Sequence, residues 1–360
     1  MVINSIQLKD FRNYGEFEIE FHPSINFIYG KNGQGKTNLI ESLYFITHLK
    51  SFRTSRISDL ARKNEKLAFI RSSLTKQDVL HEINIGLDYN RKRIQLDNKN
   101  IKFTSEYIKN FFSLLFAPDQ LSAFKEYPQE RRNYIDRILF LIDSEYFQRI
   151  KEFNRIKKQK GHLLRIADPK NVFVWNQLLS QVIPKITRNR EGLVTQVNSY
   201  LSGIFNQLTG REGELKLVYR NNFYGKTEID SAAILTFLNK KVEFEKSKGY
   251  SCYGSHKDNY WLELDGNKDK QSFSQGEYRV SFLALQLAVN ELITEMLGFN
   301  PVLLLDDVFS ELDESVFEKT MNFISSKQNQ VFISSTQIPK LYMGNGKSIH
   351  IFNGNRVDSR

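Results

Sequence analysis

The sequence predicts an α/β fold organised around a phosphate-binding loop, and three observations carry that reading. An apolar strand at residues 25–29 runs into the glycine-rich loop Gly30 to Thr37, and helix-period apolar residues follow to position 49. A second apolar strand, residues 301–305, ends in the adjacent carboxylates Asp306 and Asp307. Between these segments lies a long stretch with apolar residues at helical spacing.

The composition agrees with a folded chain. Of 360 residues, 40% are hydrophobic and 26% charged, a globular balance with room for two or so domains at roughly 100 to 200 residues each. Cys252 is the only cysteine. A disulfide or a cysteine-rich zinc site within one chain is thereby excluded, and a reducing, cytoplasmic setting is expected. The first ten residues lack the basic start and apolar stretch of a signal peptide, and no uninterrupted apolar run approaches ~20 residues, so no membrane association is expected. The net charge of +10 admits a polyanionic partner, although charge alone does not decide it.

Along the chain, alternation predicts strands at 3–8 and 16–21 and a hairpin from 80–87 and 91–96, with a buried strand at 111–116 ended by Pro118. The pattern turns helical near Gln129. Tyr146, Ile150 and Phe153, then Trp175, Leu179, Val182 and onward to Leu208, read as a short antiparallel helical arm or as the core of a helical bundle, structural in either case. Strand 260–264, helix 274–297, strand 301–305, helix 313–326 and strand 330–334 follow. The expected division is a lobe I core from 1–116 and 298–360, and a lobe II from 117–297 with the arm at about 129–210 and a helix at about 274–297.

The loop Gly30-Lys31-Asn32-Gly33-Gln34-Gly35-Lys36-Thr37 matches G-x-x-x-x-G-K-[ST] at every fixed position. Its glycines let backbone N–H groups turn inward toward phosphate oxygens, Lys36 supplies a charge for the β and γ phosphates, and Thr37 offers a hydroxyl to Mg²⁺. Asp306 would complete the Mg²⁺ shell, as a hard cation prefers carboxylate oxygen. Asp307 would orient or deprotonate the attacking water. ATP and Mg²⁺ are therefore the expected cofactors. Ser274-Gln275-Gly276-Glu277 is locally a capping box, S-x-x-E. Its sharper reading is a helix N-terminus that faces the γ-phosphate held by a second molecule.

Phosphate loop, Ser-Gln-Gly-Glu signature, twin aspartates and then Ser310-Glu311-Leu312-Asp313 stand in the order found in ATPase heads of the ABC type, where the last string resembles a D-loop. Further strings resemble the RecF family of bacterial DNA-repair ATPases: residues 9–14, 51–54, 116–119, 128–136, 254–256 and 306–313. The resemblance implies a P-loop NTPase of the ABC-ATPase type, with a largely helical second lobe. It also implies ATP-dependent homodimerisation, DNA binding at gaps or junctions, slow ATP hydrolysis, and cooperation with RecO and RecR in helping RecA to load. Two departures stand out. Ser255 and Lys257 replace an expected Pro and Arg, so His256 is read as structural, and Thr336 stands where transporter heads carry a switch histidine.

Basic residues cluster at 50–66, with Arg53 and Arg56, and at 149–165, with Arg149, Arg155 and Lys158, where Glu152 is the only acid. These clusters are the candidate DNA contacts, directed at phosphate and shape. An alternative is the head of a chromosome-structuring or break-repair complex of the SMC kind. The arm is too short for that reading, and Cys252 lies outside it.

Overall fold

The computed structural model describes residues 1–89, 91–166, 169–268, 272–309, 312–337 and 346–357. Ser310 and Glu311 of the expected D-loop lie outside them. Alternation builds β1 (Val2–Phe11) and β2 (Tyr14–Glu20), with Ile6, Leu8 and Phe11 turned inward. β3 (Ile25–Tyr29) is buried along nearly its whole length and feeds α1 (Lys36–His48), ten of whose residues are buried. β4 (Leu67–Lys76), β5 (Val79–Asp88), β6 (Arg91–Leu96) and β7 (Lys99–Asn100) continue as antiparallel hairpins. The β4–β5 turn places Gln77 and Asp78 at φ 48° and 62°, the twist that a tight hairpin needs.

The middle of the chain is mostly helical. α2 (Thr104–Asn110) precedes β8 (Ser113–Phe116), and α3 (Pro118–Glu126), α4 (Pro128–Ile142), α5 (Tyr146–Arg165) and α6 (Pro169–Thr209) follow. Next come β9 (Leu215–Arg220), α7 (Ser231–Lys240), α8 (Val242–Lys248), β10 (Asn259–Leu264) and β11 (Asn267–Lys268). α9 (Gln275–Leu297), β12 (Val302–Asp306), α10 (Glu314–Ser325), β13 (Val331–Ser335), β14 (Gly346–Phe352) and β15 (Asn355–Val357) close the chain.

Contacts divide the chain into two compact units: 1–121, 207–211 and 282–360 form the first, 122–206 and 212–281 the second. The first holds two six-stranded sheets. One is antiparallel, ordered β2-β1-β4-β5-β6-β7, and the other runs β15-β14-β3-β13-β12-β8, parallel except for β15. α1 packs against strands of both, and Leu39, Leu43 and Ile46 share a core with Ile70, Ile83, Leu304 and Phe332. The apolar residues of α1 are covered from both sheets, while its polar residues Lys36, Thr37, Asn38 and Glu41 are held by specific hydrogen bonds. α9 is long and apolar enough by length and composition to cross a membrane, but 72% of its most apolar window is buried. Gln286 on α9 donates to the Leu115 carbonyl at 3.2 Å, and Phe282 meets Phe116 at 5.4 Å. Arg279, Gln286, Asn290, Glu291 and Glu295 interrupt the apolar residues of α9, so it holds no uninterrupted apolar run of ~20 residues and is a core helix.

The second unit is organised by buried charge. Arg190 on α6, 2% exposed, donates to Asp136 on α4 at 2.8 Å, to Asp258 at 2.7 Å and to the Ser255 carbonyl at 2.7 Å. Tyr219 on β9 also donates to Asp258, at 2.6 Å. Lys160 on α5 pairs with Glu245 on α8 at 2.6 Å, both fully buried. This lysine belongs to the basic run at 149–165 but serves the interior.

His256 packs against Phe153 with ring centroids 5.8 Å apart, and its Nε2–H donates to the Ser251 carbonyl at 3.0 Å. Burial, ahead of the nearby charge of Lys157, pushes its pKa down to about 4. An unfolded imidazole takes up its proton near pH 6.5, so unfolding binds a proton between those values and stability falls as pH falls from about 6.5 to about 4. The loss should reach up to about 3 kcal/mol. Urea unfolding midpoints should decline across that window, and His256→Gln should flatten the decline; an unchanged profile would remove His256 as its cause.

Candidate functional site

The loop between β3 and α1 needs glycine for two separate reasons. Gly30, Gly33 and Gly35 have φ of 150°, 80° and 117°, where side chains bearing Cβ are strained. A Cβ would also stand 2.4 Å from the Ile351 carbonyl oxygen at Gly30 and 2.6 Å from Asn13 Nδ2 at Gly35. The neighbours that press on the loop also hold it. Tyr14 Oη donates to the Gly35 carbonyl at 3.0 Å, and Asn13 Nδ2 and the Gly354 N–H both donate to the Gln34 carbonyl at 3.0 Å. The Asn353 N–H reaches Gln34 Oε1 at 2.6 Å. Inside the curl, Lys36 Nζ donates to the carbonyls of Gly30 at 2.7 Å and Lys31 at 3.0 Å. Burial lowers the Lys36 pKa, while the fields of Asp307 and Asp306 act the other way.

The parallel order sets β13 between β3 and β12, so three strand ends converge beside the loop. Asp306, 4% exposed, pairs in register with Ser334. Its Oδ1 accepts from Ser334 Oγ at 2.6 Å and from Thr37 Oγ1 at 3.2 Å. Burial raises the Asp306 pKa, opposed by these two hydroxyls and reinforced by the charge of Asp307. Ser334 Oγ also accepts the Asp307 N–H at 2.9 Å, and Asp307 stands at φ 51°, an uncommon conformation for a side-chain-bearing residue.

The residues fit the group they would hold. A cradle that Cβ atoms would fill, the Lys36 ammonium, and a hydroxyl beside a carboxylate are the groups that would hold a Mg²⁺-nucleoside triphosphate. Among the described residues no cluster of three or more His, Cys, Asp or Glu could hold a metal by itself. Sequence reasoning singled out Lys36, Thr37, Asp306 and Asp307 but missed Ser334. Thr336, two residues further on, is exposed at the end of β13.

A second set of charges braces α1. Glu41, fully buried, receives Arg12 through two hydrogen bonds of 2.8 and 2.6 Å, and Arg53 at 3.5 Å. Arg53 also donates to Asn38 Oδ1 at 2.7 Å, so this candidate DNA contact is seated at the first turn of α1. Arg56 is exposed. Arg149 is engaged by Asp143, Glu145 and Asn189, whereas Arg155 and Lys158 on α5 are exposed.

Ser274, Gln275 and Gly276 are exposed at the start of α9. The capping box is formed: the Glu277 N–H donates to Ser274 Oγ at 3.2 Å, and the Ser274 N–H donates to Glu277 Oε2 at 3.1 Å. A Cβ at Gly276 would meet nothing within 4 Å. Asp313 is the N-cap of α10, without a side-chain cap bond, and Leu312 precedes it.

Comparison with known proteins agrees with this arrangement. The sequence model of a family described as RecF/RecN/SMC N terminal domain matches residues 2–356. A DNA replication and repair protein RecF from Staphylococcus carnosus is 32% identical, with 94% of each chain covered; one from Staphylococcus aureus is 31% identical over 98% of this chain and 99% of its own. Among solved structures, one titled as the recombination mediator protein RecF-ATP in the RecFOR pathway superposes with a TM-score of 0.85 at 25% identity, covering 99% of this chain and 98% of that one. An Smc head bound to a winged-helix domain shares the fold at a TM-score of 0.62 and 20% identity.

Replacing Ser334 with Ala would leave the buried Asp306 carboxylate short of a donor and the Asp307 N–H short of an acceptor. Stability should fall by about 1–3 kcal/mol in urea unfolding. Ser334→Thr, which keeps the hydroxyl, should lose less. Equal losses in the two variants would show that the hydroxyl does not support the carboxylates.

Proposed function

The chain belongs to the RecF/RecN/SMC N-terminal domain family and, within it, to the RecF proteins, and from that premise we propose that it binds ATP with Mg²⁺ and uses it to close a homodimeric clamp on DNA during recombinational repair. The observation that carries this reading is the meeting of Lys36, Thr37, Asp306 and Ser334 at three adjoining strand ends. Residues 30–37 would cradle the phosphates, with Lys36 compensating β and γ charge. Thr37 and Asp306 would ligate Mg²⁺, which when bound would neutralise charge on the phosphates. Asp307 would hold the attacking water and accept its proton. Thr336, exposed where a switch histidine would stand, suits slow hydrolysis, with DNA as the expected stimulant.

The closing element would come from a second copy. Ser274, Gln275, Gly276 and Glu277 would meet the γ-phosphate in trans, with Ser310, Glu311, Leu312 and Asp313 as the neighbouring D-loop. The exposed start of α9 and the open space at Gly276 support this assignment. DNA contact would fall on basic side chains, with Arg56, Arg155 and Lys158 better presented than Arg149. Gapped or junction DNA, RecO and RecR as partners, and assistance to RecA loading follow from the family.

The composite site is tested by two variants with different failures. Lys36→Met should lose ATP affinity and, with it, ATP-dependent dimerisation in light scattering, whereas Ser274→Arg should bind ATP yet stay monomeric. A Ser274→Arg protein that dimerises and hydrolyses ATP like the wild type would leave Ser274 as a helix cap only.

DNA affinity should fall steeply with salt and vary little with sequence, each neutralised phosphate on duplex contributing about −0.9 to the log–log slope. Replacing Arg155 and Lys158 with Gln should flatten that slope by about 2 if both touch phosphate. An unaltered slope would take α5 out of the interface.

A further inference from the structure

A cavity of about 500 Å³ opens where the chain leaves α1, between residues 50–57 and β6. Its floor is apolar, made by Leu49, Phe52, Ile57 and Leu60. Its rim carries Lys50, Arg53, Arg56 and Lys92, and among the described residues no acidic side chain lines it. Phe52 is half-buried, with one side taken by an edge-on contact to Tyr44 at 5.4 Å between centroids. Lys92 Nζ donates to the carbonyl of Leu49, the C-cap of α1, which stands at φ 55°. That bond ties β6 to the helix end and sets an ammonium at the mouth, with two further N–H donors.

An apolar floor beneath a lining of cations and the hydroxyl residues Ser51, Thr54 and Ser55, with no acidic side chain among the described residues, suits a ligand with a flat, weakly polar ring and a polyanionic backbone. We propose that this cavity takes one unstacked nucleotide of a DNA strand, its base against Phe52 and its flanking phosphates on Arg53, Arg56 and Lys92. The proposal rests on the DNA-binding reading above and adds a discrimination to it. Rim contacts to phosphate are blind to base pairing. The floor is reached only by a base that has left the stack, which costs least where the base is already unpaired. The site would therefore favour gaps and frayed ends over intact duplex, with little preference among bases, because every base has a face to stack.

The test compares two gapped duplexes that share every phosphate, one with bases in the gap and one with abasic residues there, bound by the full-length chain in fluorescence anisotropy. The intact gap should bind about tenfold more tightly, the scale of one base–aromatic stack. Phe52→Ala should abolish the difference while keeping its ATP affinity, which serves as the check on folding; Phe52→Tyr should retain the difference. Equal binding of both duplexes by the wild type would overturn the cavity site and leave DNA binding standing. Binding to neither would overturn the DNA reading and this site together. Competition by free dAMP that displaces the gapped duplex at concentrations near the Kd for DNA would also overturn it, identifying a mononucleotide site instead.

Discussion

The carboxylate of Asp306 is the constraint on which the first unit depends. An ionised carboxylate that is only 4% exposed is strongly disfavoured unless donors surround it. The donors come from different parts of the chain: Thr37 from the start of α1 and Ser334 from β13. Neither can reach Asp306 unless β3, β13 and β12 lie side by side in the register observed. Two covered faces and continuous apolar strands then follow, since a parallel sheet with helices against it has no solvated side. The chemistry of the site and the order of the sheet thus satisfy one requirement.

The second unit answers the same problem with different groups. Arg190 gathers Asp136, Asp258, the Ser255 carbonyl and the Tyr146 hydroxyl in one buried cluster, joining α4, α5, α6 and the approach to β10. Lys160 and Glu245 form a second such contact, and Glu245 also accepts the Cys252 N–H at 2.7 Å. Polar interiors of this kind specify one packing among several that apolar side chains alone would allow, because any other leaves a charge without a partner.

What could be read in advance follows from the range of each signal. β3, α1, the β5–β6 hairpin, α9 and β12 were legible because period and burial agree along them. β4 was not, because Leu67 and Phe69 are apolar yet stand on the outward face, which breaks the alternation. α2 and α8 are short, and β9 draws its character from pairing with β10. At the site, the phosphate loop and twin aspartates are local strings and were visible. Ser334, Asn13 and Asn353 act across intervals of the chain that no local pattern spans, and they emerge only from sheet register and the turns that meet the loop. The arginines show the same limit: spacing marks Arg53, Arg56 and Arg149 alike, while folding seats the first on Glu41 and Asn38, exposes the second and pairs the third.

The grip on Gln34 by Asn353 and Gly354 has a temporal side. The phosphate loop spans residues 30–37, but the turn that holds its shape is synthesised 319 residues after Gln34, and β13 and β14, which flank β3, also come late. A nascent chain can form the antiparallel sheet as it emerges, since all of its strands, β1 and β2 with β4 to β7, lie within the first hundred residues. The nucleotide cradle has to wait. Partly synthesised molecules therefore carry the recognisable loop without the two N–H groups of Asn353 and Gly354 that hold Gln34.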